Sequence, residues 1–356
     1  MKILISNDGP TAFYYIRLGL ARAFLAAGHK VVLWNIHEKS PMDAFDEFEP
    51  DLFVGQTYNC TRSVCSAIKE RPHMKVIMKA GDWGSLADSI PTDDFGVLMA
   101  SKLEQETIRN LYDETGRPDY VHIYYHPDFL EGTHGYWRNA GIPIHSHMLA
   151  ADVFDYTNGK CRDEFKSDLT FIGGYWPYKA QNIDRYLLTL CEDYNYKIKI
   201  FGNAHWPVAQ YCGFAPMEMA RDILASATIC PQLHEPHSTT YGFDMSERTF
   251  KLLANKCFCI SDYVEGLDKL FGEDLVMAKS PEEFKEKIDW FLAHPEDRTP
   301  YITGGYDKVM EGHTYFHRAA EIFTNLKMPR EASEIMSAYS IIREKLDEGN
   351  SVQLMG

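Results

Sequence analysis

Residues 167–263 repeat one pattern: a short apolar run, a cluster of glycine or polar residues, and a stretch with helical spacing. The blocks read SDLTFIGGYWPYKAQNIDRYLL, KIKIFGNAHW, CGFAPMEMARDILASATICPQLHEPH and MSERTFKLLANKCFCISDY. Apolar runs without polar alternation predict strands buried on both faces of a parallel sheet, with the helices as crossovers. Such a sheet binds ligands at the carboxyl ends of its strands. Here those ends are crowded with Gly, Asn, Lys, Arg and Glu, residue types that suit a phosphorylated, hydroxyl-rich ligand.

The amino-terminal half shows the same alternation. Strands are expected at 2–6, 30–36, 51–56, 75–79, 96–100 and 120–125, with helices at 11–27, 60–70 and 102–113. Gly28 follows the first helix as a natural C-cap. Between 127 and 166 the pattern gives way to Pro, Gly, His and Asp, which marks a connection between two domains. The second series is expected at 169–172, 197–201, 227–231, 258–261 and 275–278, closed by helices at 281–293, 296–311 and 314–326. The fold class is therefore α/β with two doubly wound halves. The expected division is 1–155, 156–326 and a helical tail at 327–356.

A chain of 356 residues is too long for one ordinary core and suits two domains. Hydrophobic content of 45% and aromatic content of 13% belong to a globular protein. No apolar run is long enough to span a bilayer. MKILISND turns polar at Ser6, so it reads as a buried first strand and not as a signal peptide. The eight cysteines, at 60, 65, 161, 191, 212, 230, 257 and 259, form no CxxC pair or zinc-ribbon spacing. Most lie in apolar stretches, which points to reduced core thiols in a cytoplasmic protein. A net charge of −15 argues against broad attraction to nucleic acid or anionic membrane, while leaving room for a local basic pocket.

Several residues at strand ends have the chemistry for a site. Gly173 and Gly174 follow LTFI and precede a helix, where the backbone can approach a ligand closely. Lys179 and Arg185 lie in the first turns of that helix and supply charge against a diphosphate. Gly202 and Asn203 repeat the arrangement at the next strand. Arg248 sits in the first turn of the helix opened by Ser246 or Asp244, against the helix dipole; its partner is an anion or a carboxylate of Glu247 or Asp244. His234, Glu235 and His237 follow ATICPQL with a spacing that fits sugar or phosphate contacts better than a helical zinc motif. In the first half, Asp82 in KAGDWG and Asp8 in NDGP lie at strand ends, as general-base candidates or as loop caps. Trp83, Trp176 and Trp206 offer stacking faces or packing.

Taken in order, FIGGYWPYKA, IKIFGN, GFAPMEMARDILASATICPQL, SERTFKLLANKCFCISDYVEGL, SPEEFKEKIDWFLAHPEDR and HTYFHRAAEI resemble the CgeB, or spore-maturation, type of glycosyltransferase within the GT-B superfamily. They cover about 160 residues of the carboxy-terminal half. A remoter likeness is to the DNA β-glucosyltransferases of T-even phages. The resemblance implies two Rossmann-like domains facing across a cleft, the first for the acceptor and the second for a nucleotide-sugar, usually a UDP-sugar. By position, Gly173, Gly174 and Lys179 would meet the diphosphate, with Gly202 and Asn203 bordering it. Phe214 and Ala215 would frame the base, Arg248 would neutralise the leaving phosphates, and Asp82 would be the catalytic carboxylate, with Asp8 and Trp83 on the acceptor side. Lys251 departs from the pattern, because many relatives carry there a Glu that binds ribose; a Lys cannot accept those bonds, and Glu247 is the substitute at hand. The paired glutamates of retaining relatives are absent around 235–251, which favours inversion.

The expected co-substrate is a nucleotide-sugar, with no required cofactor and no indicated Mg²⁺ or Mn²⁺ site. The acceptor is a glycan, a protein, a small molecule or a hydroxylated base in DNA. Two other readings remain open: a nucleotide-dependent oxidoreductase, although SNDGPTAF lacks GxGxxG, and a non-catalytic nucleotide-sugar binding protein.

Overall fold

Among the described residues, strands form two sheets, six-stranded and five-stranded, in the orders β2-β1-β3-β4-β5-β6 and β11-β10-β9-β7-β8. The computed structural model describes residues 1–9, 12–90, 102, 104, 112, 116–193, 195–203, 206–350 and 352. The first sheet comprises β1 (Lys2–Asn7), β2 (Lys30–Asn35), β3 (Leu52–Gln56), β4 (Lys75–Lys79), β5 (Tyr120–Ile123) and β6 (Ile144–Ser146). The second comprises β7 (Ser167–Ile172), β8 (Ile198–Phe201), β9 (Ala227–Gln232), β10 (Cys259–Asp262) and β11 (Val276–Ala278). Every pairing is parallel. Both sheets are therefore of the doubly wound α/β type expected from the sequence.

In each sheet the strand order reverses once. The chain leaves β1 to one side for β2 and to the other for β3; it leaves β7 to one side for β8 and to the other for β9. Ligand crevices open at such reversals, beyond the carboxyl ends of the strands. Asp8 follows β1, Gly173 follows β7, and His234 lies just past β9.

The chain divides into two compact units, residues 1–148 with 315–341, and 149–314 with 342–356. Sequence order alone had set the boundaries at 155 and 326. The helix Tyr315–Asn325 instead packs on the helix Ala12–Ala26 of the first unit. Gly19 permits this, since a Cβ there would lie 2.3 Å from a ring carbon of Tyr315. In the second unit Leu169, Phe171, Ile200, Ile229 and Ile260 from the strands meet Ile183, Leu187, Phe284 and Ile288 from the helices. Fully burying each such side chain contributes about 1.5–3 kcal/mol.

The first unit also holds elements not expected from the sequence, among them the helices Pro41–Phe48, Leu130–His134 and Tyr136–Asn139 and the strand β6. The helix Pro41–Phe48 starts at Ser40, whose side chain accepts from the Asp43 N–H, and β6 is a three-residue edge strand. The expected strand at 96–100 lies outside the described residues, as does most of the helix expected at 102–113. Six of the eight cysteines are buried, Cys161 and Cys212 being exposed. No described helix is long and apolar enough to cross a membrane.

Candidate functional site

At the β7 end of the second unit the chain turns through Gly173 and Gly174 before the helix Pro177–Ile183. Each glycine meets a different constraint. A Cβ on Gly202 would lie 2.0 Å from the Gly173 carbonyl oxygen, so Gly202 is needed for a backbone approach. That carbonyl also accepts from Trp206 Nε1 at 3.2 Å, and Trp206 is buried. A Cβ on Gly173 would come within 3.1 Å of Arg248 Nη2, so the guanidinium rests directly beside this turn. Over Gly174 lies the ring of Trp176, which is 47% exposed. Of the three tryptophans considered as stacking faces, only Trp176 offers one.

Arg248 begins where expected, in the first turn of the helix Glu247–Ala254, whose Ser246 cap accepts the Arg248 N–H. Its guanidinium carbon sits 4.5 Å from the Phe171 ring centroid. Nη1 is buried with no hydrogen-bond partner among the described residues. Burial pushes the Arg248 pKa down to about 10. Burial, and then the charge of Arg248, push Lys179 down to about 8. Neither cation has an ion-pair partner among the described residues. Desolvating two cations that no carboxylate contacts directly is costly, and an anionic ligand would offset that cost.

Carboxylates are near at hand but committed elsewhere. Asp262 holds His234 through Nδ1 at 2.7 Å and through its backbone N–H at 3.0 Å. Asp244 holds His237 Nε2 at 2.8 Å, and Glu235 lies 3.7 Å from His237 Nδ1. His237 in turn stacks on Tyr178 at 5.8 Å. His234, expected to contact the ligand, is only 3% exposed, and its ring is held by Asp262. Glu247 pairs with Lys251 at 2.5 Å, and Lys251 lies 4.7 Å from the Tyr156 ring centroid. The departure at Lys251 thus comes with a carboxylate beside it. Asn203 is exposed, Ala215 half-buried, and Phe214 64% exposed, an open apolar ring suited to covering a flat ligand.

The first unit builds a second cluster at the ends of β1, β3 and β4. Asp82 Oδ1 is 2.7 Å from Lys79 Nζ. Lys79 is buried among Phe13, Tyr58 and Tyr124, with ring centroids at 4.7, 5.3 and 5.5 Å. Asp8 is bonded to Arg17, which also donates to Asn7 Oδ1 at 3.2 Å. Burial pulls the Asp8 pKa upward, but the hydrogen bond and charge of Arg17 prevail and hold it below its ordinary value. Trp83, expected on the acceptor side, is only 3% exposed, and its backbone N–H donates to Tyr125 Oη at 2.8 Å.

Glu104 was not singled out from sequence. It is fully buried and accepts from Gly81 N, from Thr57 Oγ1 and, at 2.7 Å, from Tyr136 Oη. Burial raises its carboxyl pKa to about 7. It therefore pins the loop that carries Asp82. Lys79 and Asp262 were missed as well, although each ends a strand and position alone could have flagged them. Among the described residues no group of three or more His, Cys, Asp or Glu is arranged to hold a metal ion.

Comparisons with known proteins agree with this architecture. Residues 184–324 match the model of a family described as glycosyl transferase-like. No curated protein matches the chain significantly. Among solved structures, the T4 phage β-glucosyltransferase BGT in complex with UDP and Mn²⁺ is 14% identical, with a TM-score of 0.55 over 95% of this chain and 99% of that one. Anabaena Alr3699/HepE in complex with UDP is 11% identical, with a TM-score of 0.62 over 92% of this chain and 100% of that one. Sucrose-phosphate synthase from Thermosynechococcus elongatus is 10% identical, with a TM-score of 0.60 over 92% and 98%. With two parallel sheets of Rossmann-like order, the chain has the GT-B fold.

Proposed function

We propose that this chain is a GT-B glycosyltransferase, of the CgeB type on its carboxy-terminal motifs, that moves a sugar from a UDP-sugar to an acceptor hydroxyl. The observation that carries the reading is the pair Lys179 and Arg248, half-buried cations with no ion-pair partner among the described residues, Arg248 beside Gly173 and Lys179 within reach of its charge. A nucleoside diphosphate supplies the missing charge. UDP is the nucleotide in the T4 enzyme and HepE structures, which supports it as the diphosphate here. Phe214 covers the base, and Glu247, fixed by Lys251, accepts from ribose hydroxyls. Asn203 borders the diphosphate.

In the reaction Asp82 takes the proton of the acceptor hydroxyl as that oxygen attacks the anomeric carbon. The bond from that carbon to the diphosphate oxygen breaks, and its electron pair leaves with UDP, inverting the centre. Lys179 and Arg248 meet the negative charge that grows on the departing oxygen, where preorganised donors act most strongly. Glu104 holds the Gly81–Trp83 loop so that Asp82 keeps its position.

Calorimetric titration with a panel of nucleotides and nucleotide-sugars tests the donor side. Micromolar binding of UDP that disappears in Arg248→Ala is the expected result. A folded protein that binds no nucleotide diphosphate would sink the reading.

A further inference from the structure

The first unit encloses a small cavity at its own strand-order reversal, between the ends of β1 and β3 and the helices Ala12–Ala26 and Tyr315–Asn325. Its apolar wall is formed by Ile5, Ile16, Val54 and Ile322. Its polar wall includes Arg17, Gln56, Lys79, His122 and Arg318, which is three cations and, among the described residues, no carboxylate. Asp8, Asp82 and Glu321 pair with those cations without lining the cavity.

Three buried polar atoms on this lining make no hydrogen bond of ordinary length and angle among the described residues: Arg17 Nη2, Gln56 Nε2, which leans towards the Asp8 carboxyl, and His122 Nδ1. Each of these residues is at most 5% exposed. Arg17 spends Nη1 on Asp8 and Asn7, which leaves Nη2 for another acceptor. Burial, then His147 and Lys79, push the His122 pKa well down, so the ring stays neutral and adds no charge of its own. Buried donors left unmet are costly, and native sites rarely keep them so.

The size of the cavity selects among acceptors of hydrogen bonds. Its free volume is about 30 Å³, room for about two to three water-sized atoms. A planar carboxylate end suits that narrow room better than a tetrahedral phosphate does. Lys79, on the lining, also holds Asp82 at 2.7 Å, so the cavity lies next to the residue read above as the base.

We propose that this cavity seats a carboxylate of the acceptor, between Arg17 and Gln56, so that a neighbouring hydroxyl of the same molecule is presented to Asp82. The acceptor is then a hydroxy acid, such as a uronic acid or a glycan ending in one. The assignment rests on the glycosyltransferase reading for its role, while the seat itself can be measured independently.

The test is calorimetry on the full chain with D-glucuronate, acetate, inorganic phosphate and chloride, and a separate titration with UDP. Glucuronate and acetate are expected to bind, glucuronate tighter, and phosphate not to bind. Gln56→Leu and Arg17→Met should each weaken glucuronate at least tenfold and leave UDP affinity unchanged. Thermal melts identify any variant that does not fold; if Arg17→Met is one, Gln56→Leu decides. Absence of carboxylate binding while UDP binds overturns the seat and leaves the glycosyltransferase reading intact. Phosphate binding as tightly as glucuronate, or glucuronate binding unmoved by Gln56→Leu, also overturns it. Failure of UDP to bind removes the acceptor role together with the parent reading.

Discussion

At the edge of the first sheet charges come in pairs: Lys79 with Asp82, and Arg17 with Asp8. At the edge of the second, Lys179 and Arg248 share their surroundings with Asp262, Asp244 and Glu235, yet those carboxylates attend His234 and His237. The two edges use similar residue types and reach opposite electrostatic states. The paired edge is close to neutral by itself and can hold a carboxylate ready to receive a proton. The unpaired edge keeps two cations without an ion-pair partner among the described residues, as the proposed diphosphate site requires. Histidine makes the difference, because it occupies the acids and frees the cations.

The comparison can be broken most sharply at Asp82. Asp82→Asn keeps the shape of the loop and removes the base, so sugar transfer should fall by about 10²–10⁴-fold while UDP affinity stays the same. Loss of UDP affinity in this variant would show that the two edges do not divide the work as described. Next in size is Arg248→Ala, expected to weaken UDP binding and to lower turnover by about 10²–10³-fold. Normal turnover at saturating donor would remove Arg248 from leaving-group stabilisation.

Glu104 offers a stability test of the paired edge. Its folded pKa of about 7 lies above the ordinary 4.5, so the folded state holds its proton more tightly. This contribution to stability is complete below pH 4.5 and is lost as pH rises to about 7. The size of the shift corresponds to roughly 3 kcal/mol. Glu104→Gln should flatten that slope in denaturant melts between pH 5 and 8; an unchanged slope would rule out Glu104 as its source. The smallest expected effect sharpens the unpaired edge. Lys179 loses its proton near pH 8, so UDP affinity should drop about tenfold between pH 7 and pH 9. Lys179→Met should bind UDP weakly, with little dependence on pH over that range.

Much of the framework was legible in the sequence because both sheets are parallel and buried. Runs such as KILIS, KVIMK and LTFI carry no polar alternation, and the strands fall within a residue or two of their expected places. The segment IPIHSH resisted because Pro143, His145 and His147 disguise β6, an edge strand with a single neighbour. At the candidate site, the strand-end positions of Gly173, Lys179, Arg248 and Asp82 were readable. Which charges pair was not, since Asp262 and His234 come from different strands, as do Glu104 and Gly81 from distant segments. Sequence also cannot distinguish a tryptophan at a strand end that faces a ligand from one that turns inward. Trp176 stays exposed, whereas Trp83 and Trp206 turn inward.

Trp83 adopts φ = +66°, a left-handed backbone that side chains other than glycine rarely adopt. For a residue with a Cβ this costs about 1–2 kcal/mol. Replacement by glycine would release that strain but would empty a buried indole site, at a cost of about 3–5 kcal/mol for removing such a ring. Replacement by any other residue would keep the strain and still lose most of the packing. Strain and packing therefore oppose each other at the residue next to Asp82, and a substitution that relieves one worsens the other.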